Sequence, residues 1–166
     1  MKEVFVYVLR RDLRVADNPV FRTLSSLSGS KDAYLIPLYV FNPTQYELSG
    51  LVKEGQTSPY PEARSRLGSF WRCGPHRIKF LAESLHDIQH SLRQKGSDLI
   101  IRAGRTDEVV SNLLQVLTKE GMAVKGVWLT KDFATEEQAE ERAIRAALPK
   151  DVKMNIISDD STLIRR

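Results

Sequence analysis

Apolar residues along the chain follow two alternating patterns. One is a short uninterrupted run, of which residues 4–9 are the first example, with six mostly β-branched or aromatic side chains. Such a run is typical of a strand buried on both faces of a parallel sheet. The other is a longer stretch with apolar residues three and four positions apart, clearest at residues 75–95, which predicts an amphipathic helix. The alternation of the two patterns predicts an α/β protein.

The two patterns predict five strands and four helices. The predicted strands are 4–9, 34–41, 98–102, 124–130 and 152–157, and the predicted helices are 18–27, 75–95, 106–121 and 135–148. Pro37 predicts a kink or an irregular start in the second strand. Asn18 is predicted to cap the first helix and Thr106 the third. Thr135 with Gln138 fits a capping box at the start of the fourth helix.

Strands that alternate with helices form a parallel sheet with right-handed crossovers. We therefore predict a Rossmann-like, doubly wound five-stranded parallel sheet in the order 3-2-1-4-5, with helices on both faces. In that order the direction of winding reverses between the first and fourth strands, and ligands bind outside the carboxyl ends of strands at such a point. The predicted ligand site lies between residues 10–14 and residues 131–137.

The loop after the first strand is charged where many nucleotide-binding proteins have a glycine-rich loop. It contains Arg10, Arg11, Asp12 and Arg14, and neither common phosphate-loop motif occurs anywhere in the sequence. Guanidinium groups can pair with an anion or stack on a heteroaromatic ring, which suits a ligand-binding loop. The alternative is that Asp12 pairs with one arginine to fix the loop.

The start of the fourth helix carries Thr135, Glu136 and Glu137. Acidic residues at this position complement the helix dipole, so a purely structural role is one interpretation. A carboxylate can also accept two hydrogen bonds from the edge of a heteroaromatic ring that carries adjacent N–H groups. The sequence alone leaves open whether Glu136 or Glu137 would do so.

Composition and charge narrow the class of protein. A chain of 166 residues with 42% hydrophobic and 28% charged residues is a single globular domain, and its net charge of +4 permits nucleic-acid contact without requiring it. The only cysteine, Cys73, excludes an internal disulfide. No apolar run approaches the roughly 20 residues that cross a membrane. A strand that begins at residue 4 leaves no room for a signal peptide, so an intracellular protein without membrane contact is expected.

Three further groups of residues have both a functional and a structural interpretation. His86 and His90 are four positions apart, but no third ligand is apparent and both lie off the apolar stripe, so we expect no metal site. The basic neighbours of Cys73 would lower the pKa of its thiol, but no base can be assigned, and no catalytic residue is predicted. Phe70 and Trp71 lie among arginines, which indicates a nucleic-acid surface, a partner interface or ordinary packing.

Taken in order, the motifs of the chain resemble the photolyase and cryptochrome family. They are R-x-D-L-R at 10–14 followed by D-N-P at 17–19, the run at 38–41, G-P-H-R at 74–77 with F-L at 80–81, the segment 92–101, and S-T-L at 161–163. Together they most resemble the DASH cryptochromes of fungi. The resemblance covers nearly the whole chain but only the first domain of the family.

The resemblance implies a function and a set of site residues. Residues 1–158 would form an amino-terminal domain that binds an antenna chromophore, methenyltetrahydrofolate, and residues 159–166 would begin the linker to a carboxy-terminal helical domain that binds FAD. The resemblance implies that a glutamate at the start of the fourth helix, Glu136 or Glu137, holds the pterin ring of this chromophore. Thr135, Arg10, Arg11 and Asp12 complete the cofactor-binding residues that we predict around it. The complete protein would be a blue-light-driven flavoprotein that repairs cyclobutane pyrimidine dimers in single-stranded DNA, or a photoreceptor. The 166 residues alone would bind no FAD and be inactive.

Two other functions are compatible with the same fold, because a fold does not determine a function. One is a stand-alone module that binds ATP or AMP in the same crevice, against which the missing glycine-rich loop counts. The other is an interaction domain that has no ligand. Near-UV absorbance of the purified protein would separate the antenna domain from both alternatives.

Overall fold

The computed structural model describes residues 2–27, 33–47, 55–65 and 67–158. The predicted turn at 28–30, part of the loop at 42–66 and the predicted linker at 159–166 lie outside these residues. The strands are β1 (Glu3–Leu9), β2 (Ala33–Phe41), β3 (Ile100–Ala103), β4 (Ala123–Thr130) and β5 (Met154–Ile157). The helices are α1 (Pro19–Leu27), α2 (Pro75–Arg93), α3 (Thr106–Lys119) and α4 (Thr135–Ala147).

The sheet is parallel throughout and has the order β3-β2-β1-β4-β5, which confirms the predicted fold class. β1 lies at the centre and is buried on both faces, as its uninterrupted apolar run predicted. One face packs against α1 and α2, and the other against α3 and α4. Alternate residues of β1 contribute to the two cores: Phe5, Tyr7 and Leu9 to the first, and Val4, Val6 and Val8 to the second.

The kink predicted at Pro37 is absent, because β2 runs without interruption and pairs with β1 in a constant register. β3 pairs with β2 only from Leu38 onward, so Pro37 lies where β2 has a partner strand on one side. A proline that lacks an N–H group is tolerated at such a position. The irregularity of the sheet lies instead between β1 and β4, where the register shifts between Val4 and Phe5. β3 and β5 each begin two residues later than predicted.

The predicted cap of the first helix is confirmed, and the other two are wrong. The side-chain oxygen of Asn18 accepts the backbone N–H groups two and three residues further on, each at 3.0 Å. Thr106 lies inside α3, and its hydroxyl donates to Glu140 of α4 instead of capping its own helix. Thr135 likewise lies inside α4, which begins without a side-chain cap from its N-cap residue, so the capping box is not formed. Asp132 instead accepts the N–H groups of the two residues that follow it, at 2.7 and 3.3 Å.

Gly126 is a position in β4 where a side chain has no space. A Cβ atom there would lie 2.8 Å from the carbonyl oxygen of Lys153 and 3.0 Å from the ring of Trp128. We expect Gly126→Ala to lower the free energy of unfolding by about 1–3 kcal/mol and Gly126→Val to lower it further. Strand propensity alone predicts the reverse order, with valine the most stable. Urea denaturation of the three proteins measures the order, and a valine variant as stable as the parent would contradict the steric argument.

Candidate functional site

The carboxyl ends of β1 and β2 form the floor of a small cleft that opens to solvent. Its walls come from the starts of α2, α3 and α4 and from the loop after β2. The cleft therefore contains some of the residues predicted for the site and not others. Residues 10–11 and Glu137 line the cleft, but the opposite wall belongs to β2 and α2 rather than to residues 131–136.

Arg10 connects β1 to the neighbouring strand and helix. Its side chain is only 9% exposed, and its guanidinium group donates to the carbonyl oxygen of Thr130, to Glu141 at 2.7 Å and to the carbonyl oxygen of Glu137 at 3.3 Å. A carboxylate oxygen of Glu140 lies 4.0 Å from the same group. Because these donors are used within the chain, Arg10 holds α4 against the sheet and has little capacity left for a ligand.

Arg11 and Asp12 differ in whether their side chains could still contact a ligand. Arg11 is 61% exposed, and its guanidinium group donates to Glu137 and lies 3.5 Å from Asp132. One face of that planar group can therefore still meet a ring. The carboxylate of Asp12 accepts from Arg14 at 3.1 Å and from Asn18 at 3.3 Å. Asp12 thus fixes the loop to the start of α1, which is the structural alternative that the sequence left open.

The two glutamates at the start of α4 have opposite environments. Glu136 is 59% exposed and pairs with Arg72 at 2.7 Å, outside the cleft, and Thr135 beside it is exposed as well. Glu137 is 4% exposed and lines the cleft. Its Oε1 accepts from Arg11, whereas its buried Oε2 has no hydrogen-bond partner among the described residues. Buried polar atoms are nearly always paired, so Glu137 Oε2 requires an explanation.

Sequence reasoning missed a second carboxylate in the cleft. Glu140 accepts from the hydroxyl of Thr106 and from the side-chain amide of Asn42 at 3.0 Å, and so joins α3, the end of β2 and α4. Glu137, Glu140 and Glu141 are spaced three and four residues apart, which places them on one face of α4. That spacing, together with Arg10 directly after the buried strand β1, is the sequence signal that could have identified a row of inward-facing carboxylates on α4.

The β2 side of the cleft carries two buried tyrosines and an arginine. The hydroxyl groups of Tyr39 and Tyr46 are 3.2 Å apart. Burial, and then Tyr46, raise the pKa of Tyr39, whereas the nearby positive charge of Arg77 lowers it. The net direction is upward, so Tyr39 is a neutral phenol that can donate or accept hydrogen bonds.

His86, His90 and Cys73 lie outside the cleft. His86 and His90 are exposed on α2, and His90 contacts Gln94 at 2.9 Å. Within the described ranges no three histidine, cysteine or acidic residues are grouped so that they could hold a metal ion. Burial raises the pKa of the Cys73 thiol, and Arg77 opposes this only partly. The lowering suggested by its basic neighbours in sequence is therefore wrong.

Fold, strand order and cleft together define a class: a doubly wound α/β domain with a cleft at the carboxyl ends of its central strands. The sequence model described as DNA photolyase matches residues 5–165, and the chain belongs to this family. It is similar to a putative cryptochrome DASH of Gibberella zeae, with 40% identity over 90% of this chain and 21% of the relative. A putative mitochondrial cryptochrome DASH of Neurospora crassa is 38% identical over 98% of this chain and 22% of the relative.

Solved structures agree on the fold. A cryptochrome of Synechocystis sp. PCC6803 superposes with a TM-score of 0.72 at 21% identity, over 94% of this chain and 27% of that one. An archaeal photolyase of Sulfolobus tokodaii, whose structure contains two FAD molecules, superposes with a TM-score of 0.63 at 20% identity, over 98% of this chain and 32% of that one. The chain spans about a fifth of the length of the two fungal relatives. Among the described residues, no helix is both long and apolar enough to span a membrane.

Proposed function

We propose that the chain is the antenna-chromophore domain of a DASH-type cryptochrome or photolyase, and that the chromophore is methenyltetrahydrofolate. The observation that carries this proposal is the unpaired, buried Oε2 of Glu137 in the cleft. The domain would hold the chromophore at a fixed position and orientation, from which excitation energy passes to a flavin. No bond is made or broken, so no catalytic residue is required.

A carboxylate oxygen buried without a donor destabilises the unliganded protein by about 1–3 kcal/mol or more. A pterin ring presents adjacent N–H donors, and a carboxylate can accept both. Oε2 of Glu137 is available for one of them, and Oε1 retains a second lone pair beside the hydrogen bond from Arg11. In this proposal Arg11, which is exposed at the same edge of the cleft, stacks on the ring. Arg10 supports the site indirectly, because it fixes α4 against β1.

The two glutamates supply a matched pair of variants. Glu137→Gln keeps the shape of the side chain but removes its charge, and a charge-assisted hydrogen bond contributes about 1.5–3 kcal/mol, so we expect about ten- to a hundredfold weaker binding. Glu136→Gln, one residue away and outside the cleft, should bind like the parent. Methenyltetrahydrofolate is titrated into each protein and followed by near-UV absorbance.

The titration is made on the 166 residues and on the chain joined to the FAD-binding domain that the proposal expects. Absence of binding in both forms, or equal affinities for the parent and Glu137→Gln, would contradict the proposal. Urea denaturation serves as the control for folding. Because Glu137→Gln removes a buried charge that lacks a full set of partners, it is not expected to destabilise the unliganded chain.

An exposed aromatic surface supports the presence of a second domain. Leu67, Phe70, Trp71 and Phe133 are exposed, and the ion pair between Arg72 and Glu136 brings the end of the segment 67–72 to the start of α4. Exposed apolar groups that cluster in this way mark an interaction site. In this proposal residues 1–158 form the antenna domain, residues 159–166 begin the linker, and a carboxy-terminal helical domain that binds FAD docks on this surface.

Nucleic-acid binding at Trp71 has less support. The guanidinium group of Arg64 lies 3.8 Å from the centre of the Trp71 ring, so one face of that ring is already covered. Base stacking needs such a face. In the proposed complete protein, repair of dimers in single-stranded DNA or blue-light signalling would depend on the second domain. An intracellular location remains part of the same proposal.

A further inference from the structure

A second pocket lies at the other end of the sheet from the cleft. It has a volume of about 300 Å³, opens to solvent, and lies between α1, the end of α2 and the first half of β1 and of β2. Its lining is mainly apolar and includes Phe5, Phe21, Leu24, Leu35 and Leu92. These residues belong to the core on the α1 and α2 face of the sheet or pack against it, so the pocket is a gap in that core.

The architecture of the domain explains why this pocket is open. β3 pairs with β2 only from Leu38 onward, so the first residues of β2 have a partner strand on one side only. Residues 28–32, which join α1 to β2, are Ser, Gly, Ser, Lys and Asp and supply no apolar side chain. The surface proposed for the second domain lies beside the start of α4, at the opposite end of the sheet. Apolar cavities of about 150 Å³ already bind small hydrocarbons, so this pocket suits an apolar ligand.

The mouth of the pocket is polar and positively charged. Lys95 and Ser97, which follow the end of α2, line it, and no acidic residue among those described does so. Neither the ammonium group of Lys95 nor the hydroxyl of Ser97 forms an ion pair or a hydrogen bond with the described part of the chain. The carbonyl groups of residues 92 and 93 at the end of α2 already accept N–H groups from residues 95–97. Two available donors at the mouth of an apolar pocket suit an anionic head group.

We propose that this pocket binds a medium-chain fatty acid, whose alkyl chain fills the pocket and whose carboxylate meets Lys95 and Ser97. The proposal is independent of the antenna function, because the pocket shares no lining residue with the cleft. Since part of the pocket is open, affinity should rise by about two- to fourfold for each CH₂ group added between hexanoate and decanoate. Lys95 is exposed, so its charge should contribute about two- to fivefold, and less as the salt concentration rises.

The test compares two ligands that share an alkyl chain and differ in charge. Decanoate and decanol are titrated by calorimetry into the 166-residue parent, Lys95→Gln, Lys119→Gln and Ala33→Leu. Lys119 is exposed in the last turn of α3, on the other face of the sheet, so its replacement removes an equal charge without touching the pocket. Lys95→Gln should lower the ratio of decanoate to decanol affinity by about two- to fivefold, and Lys119→Gln should leave that ratio unchanged.

Ala33→Leu tests the position of the alkyl chain. Ala33 lines the pocket and packs against the same core, so a larger side chain there should weaken both ligands by about fivefold or more. Urea denaturation checks that the variant folds, and Ser25→Leu, at the exposed mouth, replaces it if it does not.

Four results would overturn the proposal. The parent binds neither ligand, or a folded pocket-filling variant binds both as tightly as the parent, which would place the ligands elsewhere. The affinity ratio stays unchanged in Lys95→Gln, or falls equally in Lys119→Gln, which would mean that Lys95 does not hold the head group. Sedimentation of the parent gives the remaining check, because a dimer that Ala33→Leu dissociates would assign the pocket to a second copy of the chain instead.

Discussion

Replacing Arg10 by methionine is expected to lower the free energy of unfolding by about 3–5 kcal/mol. Arg10 is buried, and it donates to two backbone carbonyl groups and to Glu141. Without it, the carboxylate of Glu141 stays largely buried with no cation, and Glu140 loses its nearest positive charge. Removal of one partner of a buried ion pair costs far more than the net contribution of the pair, because an uncompensated charge remains behind.

Two further variants make this prediction specific. Arg93→Met removes an exposed arginine that pairs with exposed Asp98 at 3.1 Å, and it should cost less than about 1 kcal/mol. Adding Glu141→Gln to Arg10→Met removes the charge left unpaired, so the double variant should recover part of the lost stability. Urea denaturation gives all four free energies. If Arg10→Met cost no more than Arg93→Met, or if Glu141→Gln only added to the damage, the assignment of Arg10 as the buried support of α4 would fail.

The fold was predictable because its signals are local and repeated. The run at β1 is apolar at every position, which only a strand covered on both faces requires, and α2 carries one continuous stripe that ends at Gly96. The alternation of elements indicated a parallel sheet, and the strand order was chosen as the best fit among the orders common in doubly wound sheets. The predictions that were wrong concerned features that depend on residues distant in sequence but close in space. Pro37 is accommodated because β3 is short, which no residue near Pro37 indicates.

The same distinction explains the helix caps. Asn18 bonds within its own segment, so the local rule predicted it correctly. The hydroxyl of Thr106 instead meets Glu140, which is 34 residues away along the chain. A short-range capping pattern carries no information about such a partner. The tertiary hydrogen bond from Thr106 to Glu140 therefore takes the place of the helix cap predicted at Thr106.

The position of the candidate cleft was predictable, but the residues that line it were not. Topology placed it at the carboxyl end of β1, and the charged loop and the start of α4 do meet there. Choosing between Glu136 and Glu137 required the rotation of α4 about its axis. That rotation is set by Ile144, which is fully buried and, seven residues after Glu137, lies on the same face of the helix. Arg77 was missed because a basic residue in the first turn of α2 has no local feature that indicates a cleft.

Ile144 therefore links stability to the site, and truncating it is the second large expected effect. It is 0% exposed and packs in the core formed by β1, β4 and α3. We expect Ile144→Ala to lower the free energy of unfolding by about 2–5 kcal/mol and Ile144→Val by about 0.5–1.5 kcal/mol, because lost burial and a residual cavity both scale with the atoms removed. Urea denaturation measures both values.

Val116→Ala, on the exposed side of α3, supplies the control, since Val116 is 55% exposed and alanine is the better helix former. Its stability should change by no more than about 0.5 kcal/mol. The Ile144 series also bears on binding. Without urea, Ile144→Val remains folded, and its affinity for the antenna ligand should match that of the parent. The reason is that valine keeps α4 in the same rotation and Glu137 in the cleft. A loss of affinity in Ile144→Val as large as in Glu137→Gln would mean that α4 is held by something other than this contact. Near-equal stabilities of Ile144→Ala and Val116→Ala would mean the same.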